Sequence, residues 1–174
     1  MAVVFLDIDG VMCTPLSLRL DRLLRRPMDR QTFDPIALWG LRGLVRRTGA
    51  QVVLSSSWRY SLEDPDPFTR RVMDNLYRIL ERNGTPVADI APILGLTKGE
   101  EVAAWLDRHP GTGYVILDDR SDQFLRAPAL KSRLVLVDGL RGLRPRDCRK
   151  ALALLQSPPS QTKTQTNERG VRHD

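Results

Sequence analysis

Four short apolar segments recur along the chain and predict buried strands. They are rich in β-branched residues and only a few residues long, and they cover Val3–Leu6, Val52–Leu54, Tyr114–Leu117 and Leu134–Val137. Strands of a parallel sheet have this nearly continuous hydrophobic pattern, because helices cover both faces of such a sheet. The pattern therefore predicts a mostly parallel central sheet with both faces buried.

The segments between these strands carry apolar residues three and four positions apart, which predicts amphipathic helices. Proline at the first helical position after Asp34, and a capping box formed by Thr97 and Glu100, mark two of the helix starts. Alternating strands and helices favour an α/β domain, a Rossmann-like three-layer sandwich. The predicted helices cover Pro35–Arg47, Pro67–Arg82, Gly99–Arg108 and Pro145 to about Leu155.

Two segments lie outside this alternation. The arginine-rich connection Met12–Thr32 is predicted to be a long loop, and long loops in compact domains are often functional. Residues 157–174 are polar and rich in proline, serine, threonine and glutamine, so they are predicted to form a disordered tail after a domain of residues 1–156. Neither Met12–Thr32 nor the interval between Ser57 and Lys98 has room for a large cap domain.

Composition excludes several classes of protein. The two cysteines, Cys13 and Cys148, lack the spacing of a disulfide framework or a zinc site. Their absence of pairing favours a reduced, cytoplasmic setting. Cys13 is expected to be an exposed thiol. No apolar stretch approaches the roughly 18 residues that span a membrane. No membrane partner or obligate protein partner is evident. The net charge of +6 fits either an arginine-rich composition or a surface that attracts anions.

The strongest chemical pattern is FLDIDGV, in which a hydrophobic strand ends at Asp7 and a second carboxylate, Asp9, follows. Gly10 then allows a tight turn. Ligands of open α/β sheets bind beyond the carboxyl ends of the strands. Two acids placed there can bind a divalent cation, and one can attack phosphorus while the other transfers protons. A solvated turn with no function has the same composition.

A second strand ends in adjacent carboxylates, Asp118 and Asp119. Adjacent acids repel each other unless a cation lies nearby. Together with Asp7 they would form a site of hard oxygen ligands, which suits Mg²⁺ better than zinc. The pattern therefore predicts Mg²⁺ as the cofactor.

Two weaker patterns indicate phosphate binding. The strand before Ser55 and Ser56 ends in hydroxyl side chains that can hold a phosphate oxygen, although a serine-rich turn explains them equally well. Lys98 precedes a capped helix whose N-terminus favours anions. An exposed lysine without a function is the simpler explanation of Lys98 alone.

The order of these patterns resembles the haloacid dehalogenase (HAD) superfamily of phosphohydrolases. The resemblance covers Ala2 to Val137. It implies that Asp7 is the nucleophile and that Asp9 is the general acid and base, whose backbone carbonyl also binds Mg²⁺. It departs at Val11, which follows Gly10 at a point where the family often has threonine.

The resemblance also assigns the remaining patterns. It implies that Ser55 or Ser56 is the phosphate-binding hydroxyl, that Lys98 binds substrate phosphate, and that Asp118 and Asp119 are metal ligands. A narrower likeness, carried by LDIDGV, SSSWR and ILDDR, is to the small HAD domains of RNA-repair proteins and to polynucleotide kinase-phosphatases.

The narrower likeness implies a nucleotide or a nucleic-acid end as the phosphorylated substrate. Arg59 and Arg120 are then candidate contacts to substrate phosphate, with ion pairing as the alternative. Trp58, beside the serines, is a candidate for stacking on a base.

Three functions are compatible with the sequence. The favoured one is a Mg²⁺-dependent phosphomonoester hydrolase with an aspartyl-phosphate intermediate on Asp7. The alternatives are a non-catalytic or regulatory phosphate-binding module on the same fold, and a nucleic-acid-binding protein whose acidic residues are incidental.

Overall fold

The computed structural model describes residues 1–157, in which strands and helices alternate as predicted. The predicted tail lies outside the described residues except for Ser157, and the last helix ends at Gln156, the predicted limit of the domain. The strands are β1 Ala2–Leu6, β2 Gln51–Leu54, β3 Val87–Ile90, β4 Gly113–Asp118 and β5 Leu134–Leu136.

The helices begin where the sequence places their capping residues. Asp34 accepts hydrogen bonds from the amides of Ile36 and Ala37, and Thr97 and Glu100 form a reciprocal capping box. Four predicted helices are present within one or two residues of their expected ends. The helices are α1 Pro15–Leu23, α2 Pro35–Thr48, α3 Pro67–Arg82, α4 Lys98–Asp107 and α5 Pro145–Gln156.

Within residues 1–157, five parallel strands form one sheet in the order β3-β2-β1-β4-β5. The first strand is therefore central, with β2 on one side and β4 on the other. Leu6 is paired with Leu54 of β2 and with Leu117 of β4, so these three strands end at the same level. Residues that follow the ends must emerge side by side.

Two helical layers cover the sheet and confirm the predicted three-layer α/β fold. Helices α2, α3 and α5 bury one face through Leu41, Leu76 and Ala151. Helix α4 and the 3₁₀ turns after β4 bury the other face, where Trp105 packs edge-on against Phe5 with ring centroids 5.2 Å apart. Each of these helices hides an apolar face against the sheet, which is the main source of the fold's stability.

Two elements differ from the sequence prediction. Strand β3 was not predicted because it is short, contains Asp89 and lies at the sheet edge, where its side chains are half-exposed. The prediction of a loop over Met12–Thr32 is wrong in part, because this segment contains helix α1. The helix begins at a capping box formed by Thr14 and Ser17. This helix is hard to recognise in the sequence because most leucines of α1 face solvent, so it lacks a clean apolar face.

The intervals predicted to lack a large cap contain single helices, 3₁₀ turns and one strand of the central sheet. Met12–Thr32 holds α1 and a single 3₁₀ turn, and the interval between Ser57 and Lys98 holds a 3₁₀ turn, α3 and β3, of which β3 joins the central sheet. None of the helices in the described part of the chain is both long enough and apolar enough to cross a bilayer.

The expectation that Cys13 is exposed is wrong. Its side chain is buried, and the Gln31 side-chain amide donates a hydrogen bond of 2.9 Å to its sulfur. The connection after β1 folds back over this cysteine through the 3₁₀ turn at Met28–Arg30, so the thiol is enclosed.

Candidate active site

The register of the three central strands places Asp7 between Ser55 and Asp118. The Asp7 amide donates to the carbonyl of Leu117 at 3.0 Å, and the Ser55 amide donates to the carbonyl of Leu6 at 3.0 Å. Neighbouring residues at the same level of a parallel sheet point to the same face. The three polar side chains are therefore adjacent because of backbone pairing alone.

Helix α4 delivers Lys98 to this group. Phe5 packs against α4, and Asp7 lies two residues further along the same side of the chain, so it faces the start of that helix. The Lys98 ammonium lies 3.1 Å from an Asp7 carboxylate oxygen and 2.6 Å from an oxygen of Asp118. The lysine bridges the carboxylates of two strands.

Asp119 completes a cluster of three carboxylates. One oxygen each from Asp7, Asp118 and Asp119 lies within 4.8 Å of the others, close enough to bind one metal ion. A Cβ atom on Gly10 would lie 2.1 Å from an Asp119 carboxylate oxygen, and one on Gly139 would lie 2.5 Å away. Two glycines therefore make the space in which the Asp119 carboxylate sits.

The donor set fits a hard divalent cation. All three groups are carboxylates, with no histidine or cysteine among them, and two of the three are buried. Mg²⁺ prefers a small number of carboxylates and retains several water ligands. The residues present fit Mg²⁺ in both chemistry and separation.

The surroundings of Asp118 and Asp119 raise the pKa of both carboxyl groups. Burial and the negative charge of Asp7 raise the pKa of Asp118 to about 6, although Lys98 and the Arg120 amide oppose the shift. Burial and Asp7 also raise the pKa of Asp119. Burial lowers the pKa of Lys98, but the charges of Asp7 and Asp118 outweigh it, so the net shift is upward and the lysine is a cation. Uncompensated negative charge of this kind favours cation binding.

Asp9 lies apart from this cluster, with its side chain toward solvent. The indole N–H of Trp58 donates a hydrogen bond of 2.9 Å to the Asp9 carboxylate. Partial burial raises the pKa of Asp9, the Trp58 hydrogen bond lowers it, and the charge of Asp7 raises it further, with a net upward shift. A raised pKa suits a carboxyl group that must donate a proton near neutral pH.

The two serines have different surroundings. Both are fully buried, but the Ser55 hydroxyl has no hydrogen-bond partner among the described residues, whereas the Ser56 hydroxyl caps a 3₁₀ turn by accepting from the Trp58 amide at 3.4 Å. Buried hydroxyls without partners are rare in folded proteins. The unused hydroxyl beside Asp7 is therefore the better candidate for a ligand contact.

Arg59 does not face the site, and its predicted role as a phosphate contact is wrong. Its guanidinium is buried, forms an ion pair with the equally buried Glu101, and donates to the carbonyls of Ser55 and Ser56. The alternative of ion pairing is correct, although the pair is internal rather than on the surface. Glu101 was missed by the sequence analysis, because nothing in the spacing of α4 shows that it meets a residue 42 positions earlier.

Arg120 lies at the edge of the site. Its exposed guanidinium is bonded to the exposed Asp122 at 2.7 Å, and its amide donates to an Asp118 oxygen at 2.8 Å. The predicted contact with substrate phosphate stays a prediction. The backbone of Arg120 already has a structural role, since it orients the Asp118 carboxylate.

The fold and the site together define a class. An all-parallel sheet with Asp7 on its central strand, two acids on the neighbouring strand and a helix-start lysine is the arrangement of HAD-type hydrolases. A family model described as the HAD domain in Swiss Army Knife RNA repair proteins matches residues 3–148. The match covers most of the chain, and the protein belongs to this family. No curated protein matches the chain in sequence.

Proposed function

We propose that this protein is a Mg²⁺-dependent phosphomonoester hydrolase that uses Asp7 as its nucleophile. Family membership supports a HAD-type phosphatase in general terms. The observation that carries the proposal is the meeting of Asp7, Asp118 and Asp119 within 4.8 Å, with Lys98 bridging two of them.

The reaction has two steps. An Asp7 carboxylate oxygen attacks phosphorus, the ester P–O bond breaks, and the leaving oxygen takes a proton from the Asp9 carboxyl group. Water then attacks the aspartyl-phosphate as Asp9 takes back a proton, which releases inorganic phosphate and restores Asp7. The raised pKa of Asp9 supports the acid role, because more of the protonated form is present near neutral pH.

Asp7, Asp118 and Asp119 would hold Mg²⁺, with the backbone carbonyl of Asp9 as a further predicted ligand. When bound, the ion supplies positive charge that offsets the negative charge of the phosphoryl oxygens. Lys98 contributes a second positive charge from its partly buried position. The unpartnered Ser55 hydroxyl would donate to a phosphoryl oxygen, and its lack of any other partner supports choosing it over Ser56.

The proposed substrate is a nucleotide or the terminal phosphate of a nucleic acid. The description of the family names RNA repair proteins, which supports a nucleic-acid end. The intervals beside the site hold no large cap domain, and a site without a cap would admit the end of a polymer. Trp58, whose indole lies against Asp9, stays the predicted stacking partner for a base, and the substrate class otherwise rests on family membership and on access.

The test is hydrolysis of an aryl phosphate by the full chain with Mg²⁺. Asp7→Asn should lower turnover by several orders of magnitude, since the amide cannot attack phosphorus, while the matched variant Asp122→Asn, an exposed acid beside the site, should keep wild-type activity. Circular dichroism and Tm should show that both variants are folded.

Retained activity in Asp7→Asn would overturn the mechanism. A wild-type protein that binds phosphate and Mg²⁺ but does not turn over any aryl phosphate, nucleotide or phosphorylated oligonucleotide would instead indicate a non-catalytic phosphate-binding module.

A further inference from the structure

The outer side of α2 exposes the largest unpartnered aromatic residue of the described chain. Trp39 is 69% exposed, although it belongs to a helix that otherwise packs on the sheet. The other two tryptophans donate their indole N–H groups to Asp9 and Asp89. An exposed tryptophan is costly to keep in water and often marks a binding surface.

Arginines surround this tryptophan. Helix α2 contains three arginines and no acidic residue, and Arg149 of α5 adds a fourth. All four are exposed, and within residues 1–157 no ion pair includes them. We call this set the Trp39 surface; its members are Trp39, Arg42, Arg46, Arg47 and Arg149.

Helix stability does not explain the whole set. Arg46 and Arg47 lie in the last turn of α2, where cations interact favourably with the helix dipole. That effect falls off within the last turn, so it does not account for Arg42, Arg149 or the exposed indole. A ligand that needs both an aromatic face and several positive charges accounts for all five residues.

The Trp39 surface borders an apolar groove between α2 and α5. The groove is lined by Trp39, Leu44, Cys148 and Leu152, with Arg47 and Arg149 along it. Its depth depends on Gly40, because a Cβ atom there would lie 2.8 Å from the Cys148 sulfur and would push the helices apart. An apolar floor with cationic walls suits planar bases joined by phosphates.

The surface begins close to the proposed active site. The Asp34 amide, at the start of α2, donates to the Met12 carbonyl at 2.9 Å, and the Leu143 amide, just before α5, donates to the Val11 carbonyl at 2.9 Å. Both helices therefore start at the loop that follows Asp9. Trp39 is five residues after Asp34, which is about 7.5 Å along the helix axis.

We propose that the Trp39 surface binds the single-stranded nucleic acid whose terminal phosphate occupies the active site. A base stacks on Trp39, and the four arginines contact backbone phosphates. The choice of nucleic acid over an acidic protein follows from the pairing of an aromatic face with dispersed guanidinium groups, which matches the alternation of bases and phosphates. This inference rests on the proposed function for the position of the strand's end.

The first experiment measures binding without catalysis. A fluorescent octanucleotide of uridine without a terminal phosphate is titrated with the full chain in EDTA, over a range of salt concentrations. Trp39→Ala should weaken binding about tenfold, since it removes the aromatic face on which a base stacks. Arg46→Gln with Arg47→Gln should weaken it and should reduce the slope of log Kd against log salt by about 1.4, at about 0.7 per phosphate contact.

The matched control carries the same loss of charge on the opposite face of the sheet. Arg108 follows α4 and Lys131 lies in the 3₁₀ turn Pro128–Arg133, and both are exposed. Arg108→Gln with Lys131→Gln should leave the affinity and the salt slope within about twofold of wild type. Indole fluorescence adds a direct readout, because quenching by the oligonucleotide should be much weaker in Trp39→Ala.

The second experiment separates this inference from the proposed function. With 3′- or 5′-phosphorylated oligonucleotides of two to ten residues, kcat/KM of the wild type should rise with length, and the rise should be lost in Trp39→Ala. The rate of aryl phosphate hydrolysis should be the same in the wild type, in Trp39→Ala and in Arg46→Gln with Arg47→Gln, because the Trp39 surface lies outside the proposed active site.

The outcomes are distinguishable. Wild-type affinity in both surface variants, or equal kcat/KM for all oligonucleotide lengths, would overturn the inference that the Trp39 surface binds nucleic acid. Hydrolysis of the aryl phosphate would still support the proposed hydrolase in that case. Binding that depends on Trp39, without hydrolysis of any of these phosphates, would support the binding surface and overturn the proposed hydrolase. Conversion of a dimer to a monomer by Trp39→Ala, with unchanged oligonucleotide affinity, would identify the surface as a protein interface and would also overturn the inference.

Discussion

At the scale of single residues, the site is defined by the surroundings of each carboxylate rather than by the number of carboxylates. Asp7, Asp118 and Asp119 share one small volume and lack full compensation by Lys98, whereas Asp9 is held apart by Trp58. Chemically identical groups are thereby suited to different tasks, because burial and neighbours change the pKa of each.

Trp58 should tune the acid role of Asp9. Trp58→Phe removes the hydrogen bond that stabilises the Asp9 carboxylate, so the pKa of Asp9 should rise further. The protonated acid then persists to higher pH, and the basic limb of kcat/KM against pH should move upward. The measurement needs an alkyl phosphate, whose poor leaving group requires the proton.

Trp105→Phe also removes an indole hydrogen bond to an aspartate, in this case Asp89 of the edge strand β3, and is the matched control. It should leave the pH profile unchanged. An unshifted basic limb in Trp58→Phe would argue against Asp9 as the general acid.

Gly10 should be needed for the position of Asp119. Gly10→Ala places a Cβ atom 2.1 Å from the Asp119 carboxylate, at a φ of +70°, so the carboxylate must move. We expect the Mg²⁺ concentration for half-maximal activity to rise at least about tenfold, since losing one of few ligands weakens a hard-cation site. Isothermal titration with Mg²⁺ gives an independent measure.

Gly84→Ala is the control for backbone strain. Gly84 has a φ of +74°, but no atom lies within 4 Å of the position that a Cβ atom would take there, so the strain is comparable without a collision. Both variants should lose about 1–2 kcal/mol of stability from the left-handed conformation. Equal Mg²⁺ requirements in the two variants would contradict the role of Gly10.

At the scale of elements, the Arg59–Glu101 pair joins two segments that carry site residues. Arg59 donates to the carbonyls of Ser55 and Ser56, and Glu101 lies one turn after Lys98 in α4. Glu101 also accepts a hydrogen bond of 2.8 Å from the Leu94 amide, which ties down the loop before α4. The end of β2 and the start of α4 are thus held at a constant separation.

Breaking this pair should affect stability and activity differently. Arg59→Met leaves the Glu101 carboxylate buried without its partner, and we expect a loss of about 3–5 kcal/mol in the free energy of unfolding. The double variant with Glu101→Leu should recover much of that loss, because no unpaired charge remains. Urea unfolding measures both.

Activity should not recover in the double variant. The carbonyls of Ser55 and Ser56 still lack their donor, so kcat should stay below wild type while stability returns. Full recovery of kcat together with stability would show that the pair supports the fold alone and does not position the serines.

At the scale of the whole molecule, an all-parallel sheet directs three polar strand ends toward one edge and leaves α2 and α5 to form an outer basic surface. The positive net charge is then unevenly distributed, with carboxylates at the sheet edge and unpaired arginines beside the groove. A negatively charged polymer is attracted to the surface, while Mg²⁺ is attracted to the edge.

Global stability should depend on pH and Mg²⁺ together. The pKa of Asp118 is about 6 in the folded protein and 3.8 when unperturbed, so the fold binds a proton more tightly and metal-free stability should fall as pH rises from about 4 to about 6. Mg²⁺ requires the ionised form. The rise in Tm on adding Mg²⁺ should therefore be larger at pH 7.5 than at pH 5.

Asp118→Asn should remove most of this dependence, because it deletes both the titrating group and a metal ligand. An equal rise in Tm at both pH values in the wild type would contradict the placement of Asp118 in a metal site. Differential scanning fluorimetry in EDTA and in Mg²⁺ makes the comparison directly.

The sequence by itself determined the class of fold and named the acids, the lysine and the serine that the structure brings together at one edge of the sheet. Hydrophobic runs indicate the buried strands, and local hydrogen bonding at Asp34 and Thr97 marks helix starts, so both are properties of short segments. The clustered acids follow strand ends, where open α/β sheets bind their ligands, and could be found for that reason.

Tertiary structure alone decided which distant residues meet. The Arg59–Glu101 pair, the hydrogen bond from Trp58 to Asp9 and the position of Gly10 against Asp119 join residues far apart in the chain. Strand β3 depends in the same way on pairing with β2 rather than on its own composition. Such contacts arise from sheet order and helix packing, which no local pattern encodes, so the structure was needed to separate a phosphate contact from an internal ion pair.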